Sequence, residues 1–277
     1  MRIAGLKRWT WHTLLAVSIC GSTALAGSGR HDRPKERYVE MAKRFPAVGS
    51  VVGMFTGTLV APDWVLTCAH GGEIIDRIMP NKDLQTVRLG GIDYRIASVI
   101  LHPDREPLGG STADPRWNSY DIALIRLADR VTNVEPLGLY SGVNESGAKI
   151  VFAGCGSWIP DGRVGVPLAK ANSGKRGELH AGTNRIDWID ESGLLVISFT
   201  APKRGATDLE IGGGAGDSGG AMLIQDGDKW LIAGVAAQGE ADISQNVGRY
   251  GHQLMGTRVS DYLDWIRSTI RQSHDNE

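Results

Sequence analysis

The sequence predicts a mostly β fold closed by a single C-terminal helix, and three observations point there. Short apolar runs with strand character recur along the chain in two sets, separated by a turn-rich crossing from Asn133 to Asn144. The 37 glycines are scattered at turn-like intervals and form no low-complexity tract, which suits many short strands joined by tight turns. The last sustained pattern, Ser260 to Arg271, has a helical period. The 277 residues are enough for one large all-β domain or two small halves sharing a core.

In chain order, residues 1–26 read as an export signal. Arg2, Lys7 and Arg8 supply a positive start, Leu14 to Ala24 is apolar and small, and Ala24-Leu25-Ala26 fits a signal-peptidase site. The apolar run is shorter than the ~20 residues a bilayer core requires, which argues against a membrane anchor. Residues 27–46 form an N-terminal arm or propeptide-like segment. Its first part, 27–36, is polar and expected to be loosely laid, and Arg37 to Phe45 carries Tyr38, Met41, Ala42 and Phe45 at helical spacing. The domain proper spans 47–270, with halves at 47–135 and 145–258, and 271–277 is a tail.

In the first half, Val48 to Phe55, Gly57 to Val60, Trp64 to Thr67, Thr86 to Gly90 and Tyr94 to Leu101 read as strands. Asp104 to Ser119 is a long polar loop, of a length that often marks a binding segment. In the second half Lys149 to Gly154, Leu194 to Phe199, Ala221 to Ile224 and Trp230 to Val235 continue the β pattern. In the closing helix Ser260 is the expected cap, with Asp261 at the positive end. Tyr262, Leu263, Ile266 and Ile270 form one apolar stripe, and Arg267 and Arg271 stand at the far end.

The chemistry gathers around Gly216-Asp217-Ser218-Gly219-Gly220, a serine on a glycine-flanked turn. A serine hydroxyl is a weak nucleophile near neutral pH and needs a base and an orienting carboxylate. Thr67-Cys68-Ala69-His70, at the end of an apolar strand, offers the base, with His70 in the turn beyond. Asp121, at the head of the apolar Ile122-Ala123-Leu124-Ile125, offers the carboxylate, since an unpaired one there would be costly to bury. The order His70, Asp121, Ser218 is that of one of the known serine-nucleophile triads. His102, His180 and His252 lack such a context and read as structural.

On these three motifs, over roughly residues 45–270, the chain resembles the trypsin/chymotrypsin-like serine proteases, of the secreted bacterial type. The resemblance implies two six-stranded antiparallel barrels of the chymotrypsin type with a C-terminal α-helix. It also implies a catalytic set of His70, Asp121 and Ser218, and an oxyanion hole from the N–H groups of Gly216 and Ser218. It places Gly212 at the base of the primary substrate pocket, where an acid would select Arg or Lys, with Ala237, Gln238 and Gly239 on its wall. A neutral, apolar pocket is the reading, with Asp208 and Glu210 as the acids that a re-routed loop could bring in.

The chain departs from the family at three places. Gly71 and Gly214 stand where cysteines are usual, so after removal of the signal only Cys68 and Cys155 remain, and an oxidising compartment would permit a disulfide between them. The family's Ile-Val-Gly-Gly terminus, whose charge pairs with the acid before the serine, here Asp217, has no counterpart before the first strand. Either another new terminus, one within 27–45, serves, or Asp217 has a different partner.

The resulting expectation is a secreted or periplasmic serine endopeptidase, a monomer acting on protein or peptide substrates. A net charge of −1 gives no pull toward nucleic acid or anionic membrane. No cofactor is implied, and no His/Cys/Asp group has metal-ligand spacing. The alternative is a protease-fold binding module or a zymogen-like form without activity as isolated. An α/β-hydrolase reading of Gly-Asp-Ser-Gly-Gly needs alternating helices and a histidine after the serine, and only His252 and His274 follow it.

Overall fold

The structure is a computed structural model that describes residues 25–78, 85–106, 120–166, 176–239 and 247–274. The chain begins with strand β1 (Leu25–Gly29) and helix α1 (Lys35–Ala42), followed by β2 (Val48–Val51), β3 (Phe55–Ala61) and β4 (Trp64–Thr67). Helix α2 (Ala69–Ile78), β5 (Thr86–Leu89), β6 (Ile92–Leu101) and β7 (Ala123–Leu127) complete the first half. The six strands β2-β3-β4-β7-β6-β5 close into a barrel. Strand β4 is buried along its whole length and β7 at every position but Arg126, which is why both read as near-continuous apolar runs rather than alternating ones. Val51, Leu59, Val65, Val87, Leu124 and Ile125 fill the interior.

The crossing carries β8 (Gly138–Leu139). Then come β9 (Lys149–Gly154), β10 (Trp158–Ile159), β11 (His180–Arg185), β12 (Trp188–Ile189) and β13 (Leu194–Ser198). After them stand β14 (Ile211–Gly214), β15 (Ala221–Asp226), β16 (Lys229–Gly239), β17 (Gln253–Arg258) and helix α3 (Leu263–His274). Strands β11-β9-β15-β16-β17-β13-β12, with β8 beside β16, make an eight-stranded half-barrel. A separate three-stranded sheet, β10-β1-β14, lies against it. Val151, Ala153, Leu223 and Val235 of the second half join the same apolar core as Val48, Leu59 and Leu66 of the first, so the halves share one interior.

Several expectations change on contact with the structure. Residues 27–36 are not loosely laid: β1 pairs in parallel with β10 and antiparallel with β14, and Ser28 is fully buried. The run from Val48 to Phe55 is two strands, split by a turn that puts Val52 and Gly53 at positive φ (48° and 67°). Ser260 does not cap the last helix. It lies in a short 3-10 turn, Val259–Tyr262, and its hydroxyl donates to Glu145 at 2.9 Å. The apolar stripe does hold, with Ile266 fully buried and Tyr262, Leu263 and Ile270 packed against the core. Most of the loop expected at 104–119 lies outside the described residues. His102 sits inside a cage of Tyr120, Tyr262 and Trp265, and His180 stacks on Trp158, both structural placements.

Candidate active site

His70 stands in the first turn of α2, not in a loop beyond β4. The helix follows the strand directly because Gly71 and Gly72 allow it to lie flat against its surroundings. A Cβ on Gly71 would come within 2.9 Å of Cys68 Sγ and 3.1 Å of the Phe55 ring, and one on Gly72 within 2.8 Å of Val99. Asp121 lies two residues ahead of β7, whose strand β4 partner leads to His70. Its carboxylate grips the histidine at two points. Oδ2 lies 2.6 Å from His70 Nδ1, and Oδ1 accepts the His70 backbone N–H at 2.8 Å. Thr257 Oγ1 on β17 donates to the Asp121 carbonyl at 3.1 Å, which ties this corner of the barrel to the second half.

Both side chains are buried, so each meets a desolvation penalty on its charge. Burial pushes the His70 pKa down, but the adjacent Asp121 carboxylate outweighs it and holds the imidazole well above its ordinary value. For Asp121 burial acts upward, and the imidazole with Arg105 prevails, leaving the carboxyl below its ordinary value. Arg105, itself buried, brings Nη1 to 3.9 Å from Asp121 Oδ1 and Nε to 4.0 Å from the buried Glu73. Neither Arg105 nor Glu73 stands out in the sequence; only an arginine just after His102-Pro103 could have drawn notice.

The serine turn hangs between β14 and β15. Gly216 and Gly219 take positive φ (93° and 85°), a region open to glycine. At Gly219 space decides as well, since a Cβ there would stand 2.0 Å from the Thr56 carbonyl oxygen. The turn is pinned to β3 by Thr56. Its N–H donates to the Ser218 carbonyl at 2.8 Å and its hydroxyl to the Gly216 carbonyl at 2.9 Å, while Cys155 N–H donates to that hydroxyl at 2.9 Å. Within the turn the N–H groups of Asp217, Gly219 and Gly220 bond the carbonyls of Gly214, Ala236 and Asp217. Those of Gly216 and Ser218 make no hydrogen bond among the described residues.

His70, Asp121 and the Ser218 turn thus come to the junction of the two halves, with the serine joined to the β3–β4 wall that carries His70. The final contact is open: Ser218, half-buried, makes no side-chain hydrogen bond among the described residues, and His70 Nε2 lies 3.6 Å from Cys68 Sγ. Cys68 and Cys155 are both free and buried, so the permitted disulfide is not formed.

At the expected pocket, Gly212 lies on β14, and a Cβ there would sit 2.9 Å from the Phe199 side chain. Ala237, Gln238 and Gly239 lie on β16, with Gln238 Nε2 directed at Met255 Sδ at 3.4 Å. The two candidate acids are engaged elsewhere. Glu210 is buried and takes hydrogen bonds from Thr200 N, Thr207 N and Thr207 Oγ1. Asp208 is exposed and pairs with Arg33 and Arg37. Two surface cavities of about 300 and 430 Å³ share Ser50, Arg88, Gly177 and Glu178. Neither is lined by His70 or Ser218, so neither is the substrate cleft.

The described residues contain no group of three or more His, Cys, Asp or Glu placed to hold a metal ion, and no helix among them is long and apolar enough to cross a membrane. A six-stranded barrel and a half-barrel meeting at a buried His–Asp pair and a glycine-flanked serine define a protein of the chymotrypsin fold class. Comparison with known proteins makes the assignment specific: the Trypsin family model matches residues 41–266, and the chain belongs to that family.

Vitamin K-dependent protein C of Rattus norvegicus is 28% identical over 245 residues, covering 77% of this chain and 45% of the relative. Complement C1s subcomponent of Bos taurus is 29% identical over 247 residues, covering 78% of this chain and 32% of the relative. The chain therefore spans less than half the length of these curated relatives. Among solved structures, neuropsin, a serine protease expressed in the limbic system of mouse brain, superposes with a TM-score of 0.57 at 20% identity. It covers 87% of this chain and 98% of its own, and so speaks for the fold.

Proposed function

We propose that this trypsin-family chain is a secreted serine endopeptidase that cleaves peptide bonds through an acyl-enzyme on Ser218. The observation that carries the reading is the pairing of two features at one junction: the buried two-point grip of Asp121 on His70, and a serine turn in which the N–H groups of Gly216 and Ser218 are unused among the described residues.

Each part has a role in acyl transfer. Ser218 Oγ attacks the scissile carbonyl carbon while His70 Nε2 takes its proton, and Asp121 fixes the tautomer and stabilises the imidazolium. The carbonyl electron pair moves to oxygen, where the free N–H groups of Gly216 and Ser218 would receive it. Collapse re-forms the carbonyl, breaks the C–N bond and passes the proton from His70 to the leaving amine. Water then repeats the sequence on the ester and restores Ser218. For attack, Ser218 Oγ and His70 Nε2 must close the contact that is open in the resting site. Catalytic hydrogen bonds often tighten only with substrate in place.

The sequence of residues 1–26 supports export with removal of a leader. With Phe199 against Gly212, and with Glu210 and Asp208 engaged elsewhere, a neutral, apolar primary pocket is the specificity proposed. The protein is proposed to act as a monomer on protein or peptide substrates.

A second reading has its own observation. Asp217 Oδ2 is buried with no hydrogen-bond partner among the described residues, which suits a precursor whose oxyanion turn is not yet braced. Treating the mature protein with a fluorophosphonate, beside Ser218→Ala, tests the enzyme reading. One adduct that disappears in the variant is expected, and folded protein with no adduct would overturn the claim for that form.

A further inference from the structure

We infer that Cys68 is a positioning residue of the site: its buried thiol holds the Nε2 edge of His70 in the resting protein, and Ser218 gains its base only when that contact breaks. The inference rests on the protease reading above and names what sets the readiness of its base.

Nε2 is the atom that must take the Ser218 proton, and it has one partner among the described residues. Cys68 Sγ lies 3.6 Å from it, within reach of a sulfur hydrogen bond. Ser218 makes no side-chain hydrogen bond among the same residues. With its Nδ1 edge given to Asp121, a neutral imidazole accepts the thiol S–H at Nε2, and a protonated one donates its Nε2–H to Sγ. In both states the sulfur holds the place that the serine hydroxyl needs.

The fold sets the sulfur there. Cys68 is the single residue between β4, which ends at Thr67, and α2, which starts at Ala69. Its carbonyl accepts the Gly72 N–H at 3.2 Å, so strand and helix fix its backbone from either side. Gly71 makes the room, because a Cβ there would come within 2.9 Å of Sγ. The Phe55 ring stands edge-on to the imidazole, with centroids 5.9 Å apart. Asp121 holds both Nδ1 and the His70 backbone N–H, which opposes a flip of the ring and leaves it a tilt about that hold. The tilt exchanges one hydrogen bond for another: the contact to sulfur breaks, the contact to the Ser218 hydroxyl forms, and no proton moves until attack. Cys68 is fully buried and Ser218 only half-buried, so the thiol does not meet substrate and is no second nucleophile.

Few groups set the charge on the ring. Burial lowers the His70 pKa, and Asp121 and after it Cys68 raise it. Arg105 stands behind Asp121, 3.9 Å from Oδ1, with Glu73 4.0 Å from its Nε. Removing the thiol therefore frees Nε2 and lowers the pKa of the base together.

The test compares the full mature chain with its Cys68→Ala and Cys68→Ser variants. Fluorophosphonate labelling is followed across pH, and the His70 imidazole is followed by NMR. In Cys68→Ala the alkaline plateau should rise roughly 3- to 10-fold, the scale of one hydrogen bond no longer competing. Its acid limb should move down in pH, and the Nε2 signal should shift. Cys68→Ser, which keeps a hydroxyl at that place, should return all three toward the native values. An unchanged plateau, limb and Nε2 signal in Cys68→Ala would overturn the inference. So would a lower plateau with an unmoved limb, because that outcome leaves Cys68 a packing role alone. If no form labels, the imidazole decides: an Nε2 shift in Cys68→Ala upholds the contact while the protease reading falls, and no shift overturns both.

Discussion

His70 Nδ1 and Asp121 Oδ2 lie 2.6 Å apart, and the same carboxylate takes the histidine's own backbone N–H through Oδ1 at 2.8 Å. The second bond fixes the carboxylate relative to the main chain, so the imidazole is oriented by two contacts rather than one. The Asp121 carboxylate holds the His70 pKa above its ordinary value, so the fraction of imidazole free to act as a base grows as pH rises. Labelling and kcat/KM should therefore climb as pH rises through the raised value. Asp121→Asn should lower kcat about 10⁴-fold, the scale for losing the orienting carboxylate of a serine triad. It should also drop the His70 pKa, as read from its imidazole NMR signals. A loss under tenfold would remove Asp121 from the mechanism.

The same pair makes a signed prediction for stability. The raised His70 pKa stabilises the fold fully below the unfolded value near ~6.5 and less as pH rises through the folded one. The lowered Asp121 pKa stabilises above ~3.9 and is lost as pH falls through the folded value. Their joint contribution is greatest between those limits, and denaturant midpoints of the native chain and His70→Ala should differ most there. A midpoint difference that is flat with pH would contradict the coupling.

Arg105 Nη1, 3.9 Å from Asp121 Oδ1, adds positive charge behind the pair. A cation there disfavours a second one on His70, so Arg105→Gln should raise the His70 pKa. The acid limb of the labelling profile should move up by roughly half to one pH unit, with the alkaline plateau unchanged. The buried Glu73 carboxylate loses a neighbour in this variant, so Arg105→Gln/Glu73→Gln should recover stability while keeping the shifted limb. A fall in plateau rate with an unmoved limb would assign Arg105 a purely structural role.

Gly219 joins the serine turn to β3 without room for a side chain. With φ at 85° and a Cβ position 2.0 Å from the Thr56 carbonyl oxygen and 2.4 Å from Thr67 Oγ1, Gly219→Ala must push the turn off the wall. A destabilisation of about 3 kcal/mol or more and loss of labelling are expected. Wild-type labelling in this variant would mean the turn tolerates a shift that the contacts forbid.

How much of this was legible in the sequence follows from what each feature depends on. The His70, Asp121 and Ser218 contexts could be read because strand-like apolar runs and a glycine-flanked serine are local patterns. Helix α2 was misread as a turn because Gly71 and Gly72 are poor helix formers, and the reason for them lies in Phe55, Cys68 and Val99, all outside the helix. The burial of Ser28 was hidden for a similar reason. A polar segment looks loose until the strands on either side, β10 and β14, are known. The roles of Thr56, Arg105 and Glu73 come from long-range contacts that no spacing rule encodes.

At the proposed primary pocket, Phe199 takes up the space beside Gly212. Its Cβ and ring stand 2.9 Å from any Cβ built on Gly212, and it packs on Tyr250 with ring centroids 4.6 Å apart. An acid introduced at 212 would therefore meet an aromatic wall instead of open space. The buried acid Glu210, two residues before Gly212, has its carboxylate oxygens bound by Thr200 and Thr207, so they are committed within the fold, and burial raises its pKa against those bonds. Across a peptide library, cleavage after small or apolar residues should exceed cleavage after Arg or Lys. Gly212→Asp should destabilise the fold without creating activity toward Arg. Phe199→Ala/Gly212→Asp, which clears the space, should gain that activity at some loss of stability. Preferential cleavage after Arg by the native chain would show that a charge reaches the pocket by another route.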